Sequence, residues 1–562
     1  MRWTTSGIGD TNRLALHGFV VPVQLRPMAW NIADLTEHVV DTVPDRVALI
    51  VADEPRTFAQ LEERANRLAH HLAAEGVGPG DHVGIYGFNS HAFVETIFAA
   101  YKLRAVPVNV NYRYVEAELR YLFDNADLVV LVHDAQFTPR IAAVRDALPL
   151  LRHLIAIDDG SGVDASAIGS VAYEDALASS SPTRDFEARS DDDIYILYTG
   201  GTTGMPKGVV WRQEDVLCVL GGLVNFETGI RVQDEWEFAK AAAEAPEDAG
   251  LGIVIAPLMH GAAQWGIINS LINGRPTVLM PKFDSHEVWR AVERYRITTL
   301  GITGDAMGRP LIEALDEGGY DASSLTTVAS TAAVFSATVK EQFHERFPNL
   351  VIADAVGSTE TGYNGVRVIM KGGHEKPGLP TVRMGPDTVV LDDDMNIVEP
   401  GSGVVGRMAR GGNVPIRYHK DPEKSAATFV EVNGRRYSIS GDSAIVEADG
   451  TMTLLGRGSV CINSGGEKIY PEEVEAALKA HPAVFDAVVV GVPNERWGEQ
   501  VAAVVEVRPD HSVTLEELDA HSRIHVAGYK VPREVHFVDK IERSPSGKPD
   551  YRWAKKVALA AQ

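Results

Sequence analysis

The sequence predicts an α/β protein: a large N-terminal domain of layered parallel sheets and helices with a small β-barrel region, followed by a smaller α+β C-terminal domain. Three observations carry that reading. From Asn31 onward, short apolar runs alternate with helical periods, the pattern of parallel strands joined by helical crossovers. After Asp387 the texture changes to short strand-like runs and Gly-rich turns, Val389 to Gly412. After Arg457 a last unit begins with its own helix and strands. At about 150 residues per domain, 562 residues allow three or four domains or fewer large ones.

In order along the chain, a helical stretch passes through Leu35, His38 and Val39, and Arg46 to Val51 reads as a strand. Phe58 to Ala74 has strong helical periodicity. Asp81 to Tyr86, Val106 to Asn109 and Leu128 to His133 read as buried strands, with helices His91 to Lys102 and Glu116 to Asn125 between them. Asp158 to Ser190, rich in Ser, Asp and Ala, reads as a surface connection with one short helix. The alternation resumes with strand Thr277 to Met280, helix Ser285 to Tyr295 and strand Thr299 to Ile302. The last unit reads as helix Pro471 to Ala480 and strands Ala487 to Gly491 and Val501 to Val507.

Composition excludes several function classes. Hydrophobic residues make up 45% and charged residues 23%, which fits a soluble globular chain and neither a disordered nor a fibrous one. A net charge of −24 repels phosphate backbones, so nucleic acid is not an expected partner. Only two cysteines occur, Cys218 and Cys461, in no metal-ligand spacing, and a reducing cytoplasmic location is the natural reading. No apolar run approaches the roughly 18 residues of a transmembrane segment. The early stretch Leu14 to Val23 is broken by His17 and Gly18 and lacks the flanks of a secretory leader.

The most informative motif is Tyr198 to Gly208, YTGGTTGMPKG, directly after the apolar run Ile194 to Tyr198. Glycines such as Gly200, Gly201 and Gly204 let backbone N–H groups approach phosphate oxygens, threonine hydroxyls add donors, and Lys207 adds charge. The loop departs from the GxxxxGK[ST] pattern, and Pro206 precedes the lysine. GSGVVG, Gly401 to Gly406, matches GxGxxG but follows Pro400 and precedes no amphipathic helix, so it reads as a turn between strands. GSTETG, Gly357 to Gly362, sets Thr359 beside Glu360, suited to a phosphate and to Mg²⁺, or else simply to a hydroxyl-bonded turn. Asp442 and Arg457 can bracket a ribose, whereas Asp449-Gly450 reads as a hairpin turn. In RSPSGKPD, Arg543 to Asp550, a Pro/Gly-held loop presents Lys548, a surface lysine or a group aimed at developing negative charge.

These motifs in this order resemble the adenylate-forming superfamily of acyl-CoA synthetases, over about Asn31 to Lys555. YHKDPEKSAATF from Tyr418 and GGEKIYPEEVE from Gly465 match as well. Within it, PKGVVWRQED, TGDAMGRPL, LDDD and GRGSVCINSGGEKIYPEEVEAAL are most similar to actinobacterial ligases of steroid side-chain acids. The resemblance implies an adenylation domain over 28–457, a mobile C-terminal domain over 458–562, and an extension, 1–27, that is dispensable. It implies ATP, Mg²⁺ and coenzyme A as cofactors and a small-molecule carboxylic acid as substrate, and a homo-oligomer is compatible with it.

By the same resemblance Thr199, Thr202, Thr203 and Lys207 hold the β- and γ-phosphates, Glu360 the Mg²⁺, and Thr359, flanked by Gly357 and Ser358, the α-phosphate. Asp442 and Arg457 hold the ribose, and Lys548 acts in adenylation. The face Gly465, Gly466 and Glu467 turns toward the pantetheine channel for thioester formation. Family position points to His260, Gly261, Gln264, Asp305, Ser330, Ala332 and Ala333 around the acyl group, the small ones leaving volume or merely packing helix on strand. Two positions depart from the family pattern: Val356 stands where an adenine-stacking aromatic is common, and Ser459 where the hinge is commonly Asp or Lys. The expected activity is ligation of a bulky hydrophobic acid to CoA through an acyl-adenylate. The competing readings are an enzyme that loads an acyl carrier protein and a catalytically silent nucleotide sensor.

Overall fold

The computed structural model describes residues 29–199, 205–225, 228–246, 250–373, 379–464, 467–494, 497–544 and 547–560, with the side chains of Arg457, Ser459 and Lys468 left aside. The expectation for 1–27 falls outside the described residues. A five-stranded parallel sheet runs in the order Val106–Asn109, His82–Tyr86, Leu128–Asp134, His153–Ile157, Val171–Ala172. Both faces are covered. Leu131 joins one apolar cluster while Val130 and Val132 join the opposite one, so a continuous apolar run fills two cores at once. Helix Phe58–Ala74 packs over one face and starts at a reciprocal cap, in which the Gln60 N–H donates to Thr57 Oγ1 and the Thr57 N–H to Gln60 Oε1.

A 14-stranded sheet forms the second layer. Val47–Val51, Thr277–Leu279, Gly252–Val254, Thr299–Ile302, Thr327–Ser330 and Val351–Ser358 run parallel through it. At Val351–Ser358 the direction reverses, and Gly362–Ile369 pairs antiparallel with it. Thr388–Leu391 and Gly406–Gly411, in the stretch expected to form a small barrel, extend this sheet antiparallel together with Arg435–Val446 and Thr451–Arg457. Their two small cores are their own, and hydrogen bonds through Thr381–Met384 join them to the large sheet instead of closing them apart.

Residues from Ile462 onward build a separate five-stranded sheet around the long hairpin Val484–Asn494 and Gly498–Val507. Alternate residues serve opposite faces: Val489 and Val505 lie in the core under helix Pro471–Lys479, while Val488 and Val504 lie in the core under helix Tyr551–Ala560. Among the described residues no helix is long and apolar enough to cross a membrane.

Candidate active site

Strands Ile194–Thr199 and Lys207–Arg212 pair antiparallel, and their register sets Thr199 opposite Lys207, so the two ends of the glycine-rich loop are cross-strand neighbours. Gly200, Gly201, Thr202, Thr203 and Gly204 lie outside the described residues. Buried Asn109 fixes the exit of the first strand: its amide donates to Tyr198 O (2.8 Å) and Met259 O (2.7 Å), and its carbonyl accepts from the Tyr198 N–H (2.8 Å). The Lys207 ammonium is 2.6 Å from Asp421 Oδ2 and 5.7 Å above the Tyr418 ring. That hydrogen bond from Lys207 holds the Asp421 carboxyl below its ordinary value.

The GSTETG turn joins Val351–Ser358 to Gly362–Ile369. A Cβ on Gly357 would lie 2.2 Å from Gly362 O, so only glycine lets the two backbones approach this closely. The Trp211 indole donates to Thr359 O (3.0 Å), Ser438 to Glu360 O (2.6 Å), and the Tyr418 hydroxyl to Glu360 Oε1 (3.0 Å). Burial, and then the Glu360 carboxylate, push the Tyr418 phenol up, so it stays a donor. Tyr418 thereby touches both Lys207 and Glu360. Ser358 Oγ and Thr361 Oγ1 bond each other at 2.9 Å.

Asp442 and Arg457 stand directly opposite each other across Arg435–Val446 and Thr451–Arg457. Next to Arg457, Gly456 has φ +112°, and a Cβ there would meet Glu472 of the C-terminal helix at 2.1 Å. Glu467 is exposed on strand Glu467–Ile469, while Gly465 and Gly466 lie outside the described residues.

Lys548 sits in a loop held by its own domain. Arg543 donates to both oxygens of Asp486 (2.6 and 2.7 Å) and to Gly547 O (2.8 Å), and the Ser544 N–H donates to Lys548 O (2.9 Å). Burial works against both members of the Arg543–Asp486 pair, and their mutual attraction outweighs it, holding the carboxyl low and the guanidinium high. Gly547, at φ +73°, presses on the large domain, where an added Cβ would lie 2.7 Å from the Ala306 Cβ.

A cavity of about 1480 Å³ gathers Thr199, His260, Gly261, Ala332, Gly357, Ser358, Thr359 and Lys548. His260 precedes helix Gly261–Ile272, and its buried Nε2 has no hydrogen-bond partner. Burial, with Lys548 and Arg113 adding positive charge, lowers its pKa to about 4, so the imidazole is neutral at pH 7. The remaining candidates do not line this cavity. Gln264 accepts from the Tyr195 hydroxyl (3.0 Å) and donates to Leu258 O (2.9 Å). Asp305 accepts from the Ser336 N–H (2.8 Å) and pairs with Arg309 (3.2 Å), and buried Ser330 accepts from the Gly304 N–H (3.2 Å). These three tie loops together. Ala333 lies beyond Ala332, whose left-handed φ of +70° turns the chain there.

Sequence reasoning missed Trp265, Tyr363, Arg113 and Arg410 in the cavity wall. Arg410 carries no motif; it is buried beneath the Tyr363 carbonyl, to which it donates at 2.5 Å, and only the strand pairing brings it there. Val356 lines the cavity without a ring, and Ser459 is outside the described side chains.

A family model for the AMP-binding enzyme matches residues 36–415, and one for the AMP-binding enzyme C-terminal domain matches 473–548. A 3-oxocholest-4-en-26-oate–CoA ligase of Rhodococcus rhodochrous is 56% identical over 537 residues, covering 94% of this chain and 96% of that one. A medium/long-chain-fatty-acid–CoA/3-oxocholest-4-en-26-oate–CoA ligase of Mycobacterium tuberculosis (strain ATCC 25618 / H37Rv) is 54% identical over 534 residues, covering 95% and 97%. Among solved structures, the anthranilate CoA ligase AuaEII in complex with anthranoyl-AMP has the same fold, with a TM-score of 0.81 at 24% identity over 96% of this chain and 98% of that one.

Proposed function

The chain belongs to the AMP-binding enzyme family, and from that premise we propose that it is an ATP- and CoA-dependent, AMP-forming ligase of a bulky hydrophobic carboxylic acid, a steroid side-chain acid or a long-chain fatty acid. The observation that carries the reading is one cavity in which Lys548 of the C-terminal domain meets Thr199, Thr359 and His260 of the large domain. Two relatives above 50% identity whose names carry the same steroid acid support the substrate class.

A carboxylate resists thiol attack because it is anionic and would have to expel oxide. In the first half-reaction a carboxylate oxygen of the acid bonds to the α-phosphorus of ATP and pyrophosphate leaves. In the second the CoA sulfur bonds to the acyl carbon, AMP leaves, and the thiol proton passes to solvent. Lys207, Thr199 and the glycine-rich loop hold the outer phosphates, Thr359 the α-phosphate, and Asp442 with Arg457 the ribose. Lys548 stabilises the charge that develops at the α-phosphorus. A neutral His260 offers a hydrogen bond to the acid without a charge that would hold the carboxylate back from attack.

Glu360 fits Mg²⁺: it has no lysine or arginine partner among the described residues, and Tyr418 orients one of its oxygens. The ion, when bound, balances phosphate charge there. For thioester formation the C-terminal domain, 458–562, rotates on the large domain, 28–457, and exchanges Lys548 for the Gly465–Glu467 face. ATP and CoA as substrates make the cytoplasm its location.

The test is a coupled assay of AMP release and acyl-CoA formation with 3-oxocholest-4-en-26-oate, a bile acid, palmitate and benzoate. The reading expects CoA-dependent AMP release, with the polycyclic acids giving kcat/KM above that of palmitate. Pyrophosphate exchange without CoA-dependent AMP release identifies a carrier-loading enzyme instead, and a palmitate preference removes the steroid assignment.

A further inference from the structure

On the five-stranded parallel sheet, outside the cavity that holds Lys548 and Thr359, two histidines and a glutamate converge. His71 lies in the last turn of helix Phe58–Ala74, and Glu75, four residues on, is its C-cap, so the helical repeat puts both side chains on one face. His153 opens strand His153–Ile157 and is buried. The Nε2 atoms of His71 and His153 are 2.9 Å apart, their rings 5.1 Å apart and tilted by 43°. Glu75 Oε2 lies 3.6 Å from His153 Nδ1, and one ligand atom from each of the three side chains falls within 4.8 Å of the others.

Two imidazole nitrogens that face each other this closely leave two arrangements. Either one carries a proton and donates it to the other, or both present lone pairs to a shared cation. The surroundings favour the second. Glu75 Oε2, 3.6 Å from His153 Nδ1, adds a carboxylate oxygen beside the two imidazoles, so three ligand atoms of the kind a cation takes stand together. The Glu75 side chain is 45% exposed, so its other oxygen can swing in without disturbing the fold. The neighbouring cation, Arg152, is held by backbone oxygens and an aspartate: its guanidinium donates to Glu75 O (3.4 Å) and Gly76 O (2.9 Å) and faces Asp81 (3.9 Å). A tetrahedral ion with Zn–N bonds of about 2.0–2.1 Å needs its two nitrogens roughly 3.3 Å apart, an opening of only a few tenths of an ångström from what is found.

We propose that His71, His153 and Glu75 form a binding site for a borderline divalent transition-metal ion, Zn²⁺ foremost, with a fourth position left to water. Two imidazoles and one carboxylate suit Zn²⁺, Ni²⁺ or Co²⁺ and discriminate against Mg²⁺ and Ca²⁺, which prefer oxygen. The ion would fasten the end of helix Phe58–Ala74 to the first residue of strand His153–Ile157, adding to the hydrogen bonds that Arg152 makes to Glu75 O and Gly76 O. The site takes no part in the ligase reaction, so its test is independent of the function proposed above.

The experiment uses the tag-free full-length protein without ATP or Mg²⁺. Zn²⁺ is titrated by equilibrium dialysis with elemental analysis, Co²⁺ is followed by its visible ligand-field absorption, and thermal unfolding is recorded with and without Zn²⁺. The expected result is one ion per chain, tetrahedral Co²⁺ bands, and a higher unfolding midpoint with Zn²⁺. Affinity falls at least tenfold in His71→Gln, His153→Gln and Glu75→Gln. His521→Gln, in the separate histidine cluster with His481 and His525, leaves binding unchanged. If buried His153→Gln does not fold, the more exposed His71→Gln and Glu75→Gln carry the comparison. Absence of stoichiometric binding, or binding that survives both His71→Gln and Glu75→Gln, overturns the site and leaves an N–H···N hydrogen bond between two imidazoles. Loss in His521→Gln instead moves the ion to the other cluster and equally overturns it.

Discussion

The Thr359–Glu360 turn and the Lys548 loop bring their groups to one cavity by opposite means. The turn is pinned inside the large domain: an indole, a serine and a tyrosine bond its carbonyls and its carboxylate, and Gly357 lets its two backbones touch. The loop is pinned just as firmly, but to its own small domain, through Arg543 and Asp486. Across the interface Gly547 packs against Ala306, while elsewhere Arg508 faces Glu313 at 3.7 Å and both Arg309 and Arg508 approach the Phe485 ring. Each group is therefore pinned within its own domain. A lysine held this way can be withdrawn whole, without unfolding the loop that carries it.

The sharpest way to break this contrast is Arg543→Ala. Removing one partner of a buried pair leaves Asp486 only the Ala487 N–H and the charge of Lys479, and up to about 3–5 kcal/mol of C-terminal-domain stability should go, read by urea unfolding. Unchanged unfolding would mean that the loop is held from the large domain after all. Lys548→Ala comes next: adenylate formation should fall by roughly 2.7–4 kcal/mol of barrier. Thioester formation from supplied acyl-adenylate should be largely kept, and an equal loss in both half-reactions would deny that the lysine acts in one conformation only.

On the other side of the comparison, Glu360→Gln keeps the turn's shape and removes its charge. It should raise the Mg²⁺ requirement by at least the roughly tenfold that loss of even an indirect metal partner brings. An unchanged Mg²⁺ dependence would place the ion elsewhere.

His260 gives a pH test. Its pKa is depressed to about 4 from 6.5, so between those values the unfolded chain binds the extra proton, and stability falls as pH drops from about 6.5 toward 4. His260→Gln should remove up to about 1.4 kcal/mol per pH unit of that slope relative to the parent, with no difference above pH 7. Smallest is Arg508→Ala at the domain interface, a half-exposed pair for which 0.2–1 kcal/mol is about the range. It should leave stability nearly unchanged while shifting the balance of the two half-reactions.

Much of the fold was legible because it obeys simple periods. Phe58–Ala74, His91–Lys102 and Ser285–Tyr295 end where the helical period and its caps end, and the two-sided burial of Leu128–Asp134 makes it a continuous apolar run. The pairing of Asp442 with Arg457 was legible as company in a motif, and the register made it a physical neighbourhood. The acyl wall was harder to read. Which face of helix Gly261–Ile272 meets the cavity depends on its rotation, and that is set by Gly261, where a Cβ would strike Leu197 at 2.6 Å. One residue of rotation separates Trp265, in the wall, from Gln264, bonded to Tyr195. Arg410 depends on strand order across a sheet, which no local pattern encodes.

The single amide of Asn109 has a bearing on how such an enzyme diversifies. Because one side chain bonds both Tyr198, near the end of its strand, and Met259, the residue before His260, any change that displaces the 257–260 segment also bears on the strand end at Thr199. On the function proposed above, the choice of acid and the competence to use ATP would along this wall be inherited as one character. Trp265 does not escape that coupling, because its ring packs on Tyr195 of the same strand as Tyr198, with ring centroids 5.7 Å apart.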